Sequence, residues 1–180
     1  MDKKEARKKY IEVRKNIPIE NRADKSLKIC KKIDELISAK HFDAILLYAP
    51  LEYEVDVIKV FNKSLSDNFY FPLTKGEAMT FHKVESLDDL ETGNFNVREP
   101  KEYCSEIFFK KDKEYLVIVP GAAFDKNGYR IGYGKGFYDK FFAKNKDVKF
   151  TKIGVCFKEC FVDEIDYDEY DYPVDEVYFA

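Results

Sequence analysis

PGAAFDKNGYRIGYGKGFYDKFF, residues 120–142, lies between an apolar run and a segment with helical character. The run before it, YLVIVP at 115–120, has the length and composition of a buried strand. Three glycines then alternate with other residues at 132, 134 and 136, and GKGFYDKFFAKN, residues 134–145, predicts a helix. A strand, a glycine-rich loop and a helix start together present backbone N–H groups and a positive dipole end to an anion.

The glycine spacing alone leaves two interpretations open. The pattern is GxGxG, which matches neither GxxxxGK[ST] nor GxGxxG, and residues 122–130 separate it from the preceding strand. DKNG at 125–128 has the composition of a turn. A phosphate-binding loop and a plain surface turn therefore both fit this part of the sequence.

Strands and helices alternate along the rest of the chain. Amphipathic helices are predicted over 3–16 and 20–38, the second with an apolar stripe. This alternation predicts a layered α/β fold, with a mostly parallel sheet and helices on both faces. A length of 180 residues predicts one domain, 1–180. The stripe of the second helix is Ala23, Leu27, Cys30, Ile33 and Ile37; the remaining predicted strands are 43–49, 68–73, 78–84, 152–157 and 177–180, with a helix at 55–65.

Charge is distributed unevenly, although the net charge is only −3. Residues 1–40 carry 13 Lys/Arg against 7 Asp/Glu, and residues 159–180 carry 9 Asp/Glu with no Lys/Arg. A basic head and an acidic tail can attract each other, or can mark the anion-binding and cation-binding ends of one site. No basic patch dominates the chain, so we expect no nucleic-acid partner.

Other classes of protein are disfavoured by simple patterns. No run of about 18 apolar residues predicts a membrane span, and the first residues, MDKKEARKKY, lack the apolar core of a secretory signal. The four cysteines show no CxxC spacing, so reduced thiols in the cytoplasm are expected. We expect a monomer, with a dimer as the alternative.

Residues 120–139 also resemble a known family signature. PGAAFDKNGYRIGYGKGFYD is similar to the pattern PG-x-x-FD-x-x-G-x-R-[LI]-G-R-G-x-G-[YF]-YD of the 5-formyltetrahydrofolate cyclo-ligase (methenyltetrahydrofolate synthetase) family. The resemblance extends to KKEARK at 3–8, LYAPLEYEVDV at 47–57, REP at 98–100 and PVDEV at 173–177.

This resemblance implies a three-layer α/β/α sandwich with a mostly parallel central sheet. It also implies an ATP- and Mg²⁺-dependent enzyme that converts 5-formyltetrahydrofolate to 5,10-methenyltetrahydrofolate and releases ADP and phosphate. Phosphorylation of the formyl oxygen, followed by attack of N10, needs positioning and charge neutralisation more than a general base. The two histidines, His41 and His82, lie in no recognisable catalytic pattern, in agreement with such chemistry.

The nucleotide residues implied by the resemblance come from two segments. Lys4 and Arg7 match an N-terminal pair that contacts ATP, and their spacing places them on one helix face. Tyr133 stands where the family pattern has arginine, so a hydroxyl replaces a bidentate guanidinium. Catalytic roles are assigned to Lys4, Arg7, Lys135 and Asp139. The implied ATP-binding loop residues are Arg130, Ile131, Gly132, Tyr133, Gly134, Lys135, Gly136, Phe137 and Tyr138.

The resemblance also implies a metal site and a folate site. Asp139 and Asp175 match Mg²⁺ positions, and one or two carboxylates are what magnesium usually takes from a protein. Tyr48 and Glu54 match the folate-contacting segment, where a carboxylate can accept hydrogen bonds from pteridine N–H groups. Val57 replaces the threonine usual after EVD.

The expected partners are therefore small molecules, ATP and 5-formyltetrahydrofolate. Two other functions remain open at this point. One is an ATP-dependent phosphotransferase acting on another small molecule with the same loop. The other is a non-catalytic folate- or nucleotide-binding relative, which Tyr133 and Val57 would favour.

Overall fold

The structure, a computed structural model, describes residues 2–63 and 68–180. Six strands form the central sheet, and all their pairings are parallel except the last. These strands are β1 (Ala44–Leu46), β2 (Phe69–Lys75), β3 (Ala78–Lys83), β6 (Glu114–Pro120), β9 (Lys149–Cys156) and β11 (Glu176–Phe179), in the spatial order β11-β9-β6-β1-β2-β3. The mostly parallel sheet predicted from the sequence is confirmed.

Smaller strands lie beside this sheet. A two-stranded ribbon pairs β4 (Leu90–Thr92) with β5 (Arg98–Pro100), and a three-stranded sheet joins β7 (Ala123–Asp125), β8 (Arg130–Ile131) and β10 (Phe161–Val162). The sequence analysis did not predict them, because runs of two or three residues carry no measurable periodicity.

Helices cover both faces of the central sheet. Apolar side chains of α2 (Ile19–Ala39) and α3 (Ile58–Lys63) pack in one core cluster. Side chains of α1 (Lys3–Lys15) and α4 (Phe137–Lys144) pack in the other cluster. In β1, successive residues alternate between the two clusters, as the two-residue period of a strand requires. The expected three-layer α/β/α arrangement is confirmed.

Most predicted elements lie close to the observed ones, but the buried face of α2 was predicted wrongly at two positions. Ala23 and Leu27, predicted in the buried stripe, are exposed, whereas Arg22 and Ser26 are buried. The helix is rotated about its axis relative to the predicted orientation, because these two polar side chains form hydrogen bonds with the backbone of residues 52–56. Of the helix predicted at 55–65, residues 58–63 are helical and 64–65 lie outside the described residues.

The topology places two long loops side by side. From β1 the chain passes to β2 on one side, whereas β6 lies on the other side of β1. The segments 47–57 and 121–136, which follow β1 and β6, therefore leave from the carboxyl ends of neighbouring parallel strands. Such a point of reversed strand order is where open α/β sheets bind ligands.

Candidate active site

A narrow crevice lies at this point, beyond the ends of β1, β6 and β9. Its wall combines apolar strand ends with a few polar groups that point into it. The lining residues are Arg14, Tyr48, Glu54, Val55, Pro120, Gly121, Val155, Cys156 and Phe157. The crevice is therefore built from the first helix and from all three strands that meet there.

The glycine loop forms one side of the site and is held by α1. Arg7 donates from Nε to the Gly132 carbonyl at 2.5 Å. A Cβ on Gly134 would lie 3.3 Å from the Arg7 guanidinium, and Gly134 has φ +92°, a backbone geometry that favours glycine. Gly136, with φ +63°, is the N-cap of α4. The prediction that a glycine loop leads directly into a helix is confirmed. Arg7 contacts this loop directly.

Arg14 is a buried cation in the crevice that the sequence analysis missed. Only 4% of it is exposed, and it donates to the Tyr133 hydroxyl at 2.7 Å and to the Gly121 carbonyl at 3.4 Å. Tyr133 in turn donates a short hydrogen bond to Glu54. Arg14 follows Arg7 by two helical turns and so shares its face, which is the signal that would have revealed it.

The ionisable groups around Glu54 affect one another. Burial raises the pKa of Tyr48, Tyr133 and Tyr138, and the charge of Glu54 raises all three further. Burial alone lowers the pKa of Arg14, but Tyr133 and Glu54 outweigh it and raise the pKa overall. The tyrosines therefore remain protonated at neutral pH and can act as hydrogen-bond donors near the carboxylate.

The segment that carries Glu54 is fixed by α2. Ser26 Oγ accepts a hydrogen bond from the Asp56 N–H at 3.1 Å, and Arg22 donates to the Glu52 carbonyl at 3.2 Å. Tyr48 is buried and donates to the Val55 carbonyl at 2.8 Å. Glu54 itself accepts from the Leu51 N–H. In this structure Tyr48 shapes the turn, while Glu54, 8% exposed, presents a carboxylate to the crevice.

At the two ends of the loop, Arg130 and Asp139 form a half-buried pair. Arg130 donates to Asp139 at 2.6 Å and to the Tyr172 carbonyl at 2.7 Å, while the Tyr172 N–H donates back to Asp139. The other predicted loop residues have different settings. Ile131 is buried in the core, Gly132, Phe137 and Tyr138 are half-buried, and Lys135 is exposed with its Nζ 5.5 Å from the centre of the Phe95 ring.

The basic head does contact the acidic tail. Lys3 forms ion pairs with Asp171 at 2.5 Å and Asp168 at 3.3 Å. Lys4, expected to contact ATP, is exposed on the same helical end. The basic N-terminal segment and the acidic C-terminal segment therefore attract each other directly, which was one of the two interpretations of the charge pattern. The contact is made by Lys3, which the sequence analysis did not place in the site.

A model of the 5-formyltetrahydrofolate cyclo-ligase family matches residues 1–180. The chain belongs to this family.

The described residues include no helix long and apolar enough to cross a membrane.

Relatives of this cyclo-ligase family chain come from several kingdoms. A probable 5-formyltetrahydrofolate cyclo-ligase of Schizosaccharomyces pombe is 29% identical over 74% of this chain and 72% of its own length. The Mus musculus 5-formyltetrahydrofolate cyclo-ligase is 26% identical over 89% of this chain and 84% of its own. The solved 5,10-methenyltetrahydrofolate synthetase of Aquifex aeolicus is 32% identical with a TM-score of 0.83, covering 99% of this chain and 90% of that one.

The two aspartates predicted to bind metal have different partners in this cyclo-ligase family chain. Asp139 is held by Arg130, whereas Asp175 accepts from the Lys152 N–H at 2.7 Å and pairs with its side chain at 3.4 Å. Within 2–63 and 68–180, no three His, Cys, Asp or Glu side chains are grouped so that they could hold a metal ion. Metal binding by these residues stays a prediction.

Proposed function

We propose that this chain is an ATP-dependent 5-formyltetrahydrofolate cyclo-ligase. It would form 5,10-methenyltetrahydrofolate from 5-formyltetrahydrofolate and release ADP and phosphate. The observation that supports this best is the meeting of the glycine loop and the Glu54 segment. They leave neighbouring strand ends and are joined by the hydrogen bond from Tyr133 to Glu54. A phosphoryl donor and a folate bound to these segments would be close to each other.

The nucleotide side of the proposed site supplies cations and backbone N–H groups. Arg7 is at the loop, Arg130 is at the start of the same segment, and Lys4 and Lys135 are exposed nearby in sequence. Transfer of the γ-phosphoryl group to the formyl oxygen spreads negative charge over phosphate oxygens, which these groups would stabilise. We assign catalytic roles to Lys4, Arg7, Lys135 and Asp139 on this basis.

The folate side of the proposed site is centred on Glu54. Its carboxylate is buried, accepts the Leu51 N–H and lies 4.0 Å from Arg14, so it can accept hydrogen bonds from pteridine N–H groups. Tyr48 would act by holding the turn that carries Glu54. A ligand without such donors could not replace the hydrogen bond that Glu54 accepts from Tyr133, which would favour folate over such a ligand.

Magnesium is proposed as the partner of ATP. It usually takes one or two carboxylates and completes its shell with water and phosphate oxygens, and Asp139, three residues after Gly136, is a half-buried carboxylate that fits this requirement. Asp175 would be a second ligand. The ion would supply charge neutralisation to the phosphates. Arg130, which now pairs with Asp139, would be available to phosphate once a cation takes its place.

The proposed partners are small molecules only, in a monomer or dimer located in the cytoplasm. The near-neutral charge balance of −3, with no dominant basic patch, supports the expectation that nucleic acid is not a partner. The compartment differs among relatives, since one from Arabidopsis thaliana is a mitochondrial 5-formyltetrahydrofolate cyclo-ligase.

Absorbance spectroscopy tests the activity directly. Purified protein mixed with Mg²⁺, ATP and 5-formyltetrahydrofolate should show growth of the near-ultraviolet band of methenyltetrahydrofolate, matched by ADP release and dependent on ATP. ADP release without this band would support the phosphotransferase instead. Binding of both ligands without turnover would support the non-catalytic relative.

A variant pair tests the nucleotide site. Arg7→Gln should raise the KM for ATP at least about tenfold, because a charge-assisted contact to phosphate is lost. Lys8→Gln removes a charge from the next position of the same helix, where the side chain is exposed, and should leave the KM nearly unchanged. Equal effects of the two substitutions would contradict a specific role for Arg7.

A further inference from the structure

Tyr133 is held in an unusual way for a residue of a glycine loop. The residue is 41% exposed, yet its hydroxyl lies between two buried charged side chains. Arg14 donates to it at 2.7 Å, and it donates to Glu54. The contacts that fix Tyr133 are therefore concentrated at the tip of the side chain.

The Tyr133 hydroxyl donates to the Glu54 carboxylate, which in the proposed function accepts hydrogen bonds from the folate. Glu54 has two carboxylate oxygens, and one of them already accepts the Leu51 N–H at 2.8 Å. The other accepts the Tyr133 hydroxyl and lies 4.0 Å from the nearest Arg14 nitrogen. A pteridine N–H donor that approaches this second oxygen would compete with Tyr133 for it.

The backbone around Tyr133 allows it to leave. Gly132 and Gly134 flank it, and Gly134 already has a left-handed φ of +92°. A Cβ on Gly132 would meet no atom of the described residues within 4 Å, so space is open on that side. Displacement of the hydroxyl therefore requires rearrangement of a glycine-rich segment that Arg7 also contacts, at the Gly132 carbonyl and beside Gly134.

Arg14 fits the role of a positioning residue in this arrangement. Its Nε is buried without a hydrogen-bond partner among the described groups, while its other contacts are the Gly121 carbonyl, Tyr133 and Glu54. A buried cation with spare donor capacity can hold the Glu54 carboxylate in place after Tyr133 has moved.

We propose that the Tyr133 hydroxyl is a displaceable cover of Glu54, which a ligand with N–H donors must remove, and that this exchange couples the folate and nucleotide sites. The inference rests on the proposed function. Tyr133 belongs to the loop that would bind phosphate, and Arg7 also holds that loop through the Gly132 carbonyl. The cost of releasing the loop is met by whichever ligand binds first, so each ligand should bind more tightly in the presence of the other.

Binding measurements with Tyr133→Phe test this coupling. The wild-type protein should bind 5-formyltetrahydrofolate more tightly when Mg²⁺ and a non-hydrolysable ATP analogue are present. Tyr133→Phe, which lacks the competing donor, should bind 5-formyltetrahydrofolate alone about tenfold more tightly, and the analogue should then add little. Tyr170→Phe removes a hydroxyl from a side chain that is 74% exposed and should behave as the wild type.

Hydrogen exchange provides a second measurement that does not depend on the variant. Addition of 5-formyltetrahydrofolate alone should increase exchange in residues 132–136 of the wild-type protein, because the loop loses its attachment to Glu54. Two results would overturn the proposal that folate displaces the Tyr133 hydroxyl from Glu54. One is an unchanged or weaker folate affinity in a folded Tyr133→Phe protein, and the other is slower hydrogen exchange of the loop on folate binding. If neither protein binds folate at all, the proposed function fails and the inference fails with it.

Discussion

Gly128 is a position at which both the backbone conformation and the packing require glycine. It follows the turn at Asp125, whose fully buried carboxylate accepts hydrogen bonds from the N–H groups of Asn127 and Tyr129. Gly128 has φ +83°, and its N–H and carbonyl both take part in backbone hydrogen bonds. An added Cβ would lie 2.2 Å from the Val174 carbonyl oxygen. The turn thereby fixes the approach of the C-terminal segment to the loop region.

We expect Gly128→Ala to destabilise the protein by more than about 3 kcal/mol, because left-handed strain and a clash with backbone add together. Gly76→Ala is the matched control. Gly76 has φ +63°, but an added Cβ there would meet no atom of the described residues within 4 Å, so strain alone should cost about 1 kcal/mol. Urea unfolding of both variants provides the comparison, and equal losses would contradict the role of the Val174 contact.

Element α2 acts as the support of the segment that carries Glu54. Its buried face presents Arg22 and Ser26 to the backbone of residues 52–56, in addition to the apolar contacts of Ile29 and Ile33. The stripe predicted from the sequence is wrong at Ala23 and Leu27 for this reason. Hydrophobic periodicity cannot detect a helix face whose polar groups are satisfied by a distant loop.

Ser26→Ala should destabilise the protein by about 1–2 kcal/mol, since the Asp56 N–H loses a buried acceptor. It should also raise the KM for 5-formyltetrahydrofolate with little change in the KM for ATP, because only the Glu54 segment depends on this bond. Ser38→Ala in the same helix is the control, as its hydroxyl donates to the Asp34 carbonyl at the surface. A parallel rise in both KM values would argue against a local role of Ser26.

At the scale of the whole molecule, ion pairs and hydrogen bonds to carboxylates give the stability its dependence on pH. Among residues 2–63 and 68–180, five carboxylates have a pKa below the ordinary value. Backbone N–H donors are the main cause for Asp43 and Asp168, the Tyr103 hydroxyl for Asp89, Lys40 for Glu114 and Lys111 for Asp147. The folded chain therefore binds fewer protons in acid than the unfolded chain does.

The free energy of unfolding should consequently fall as pH decreases below about 4.5, the range in which unfolded carboxylates begin to take up protons. The contribution of these groups is fully present above that range and disappears as pH falls through their lowered pKa values. Because Asp147 and Asp168 are exposed and the other three are only half-buried, 1 M salt should weaken the ion-pair part of the effect. Chemical denaturation between pH 3 and pH 7 measures this, and a flat profile would contradict it.

The sequence by itself determined the order along the chain of the main helices and of the six central strands, the mostly parallel sheet and the glycine loop before α4. These features depend on local periodicity and on residues adjacent in the chain. Only the tertiary structure revealed Arg14 as part of the site, the contact of Tyr133 with Glu54 and the separate partners of Asp139 and Asp175. Each of these joins groups from distant parts of the chain. Their positions follow from the parallel pairing of β1 with β6, which brings the loops after these strands together, and from the need to satisfy buried charges; no local pattern records either.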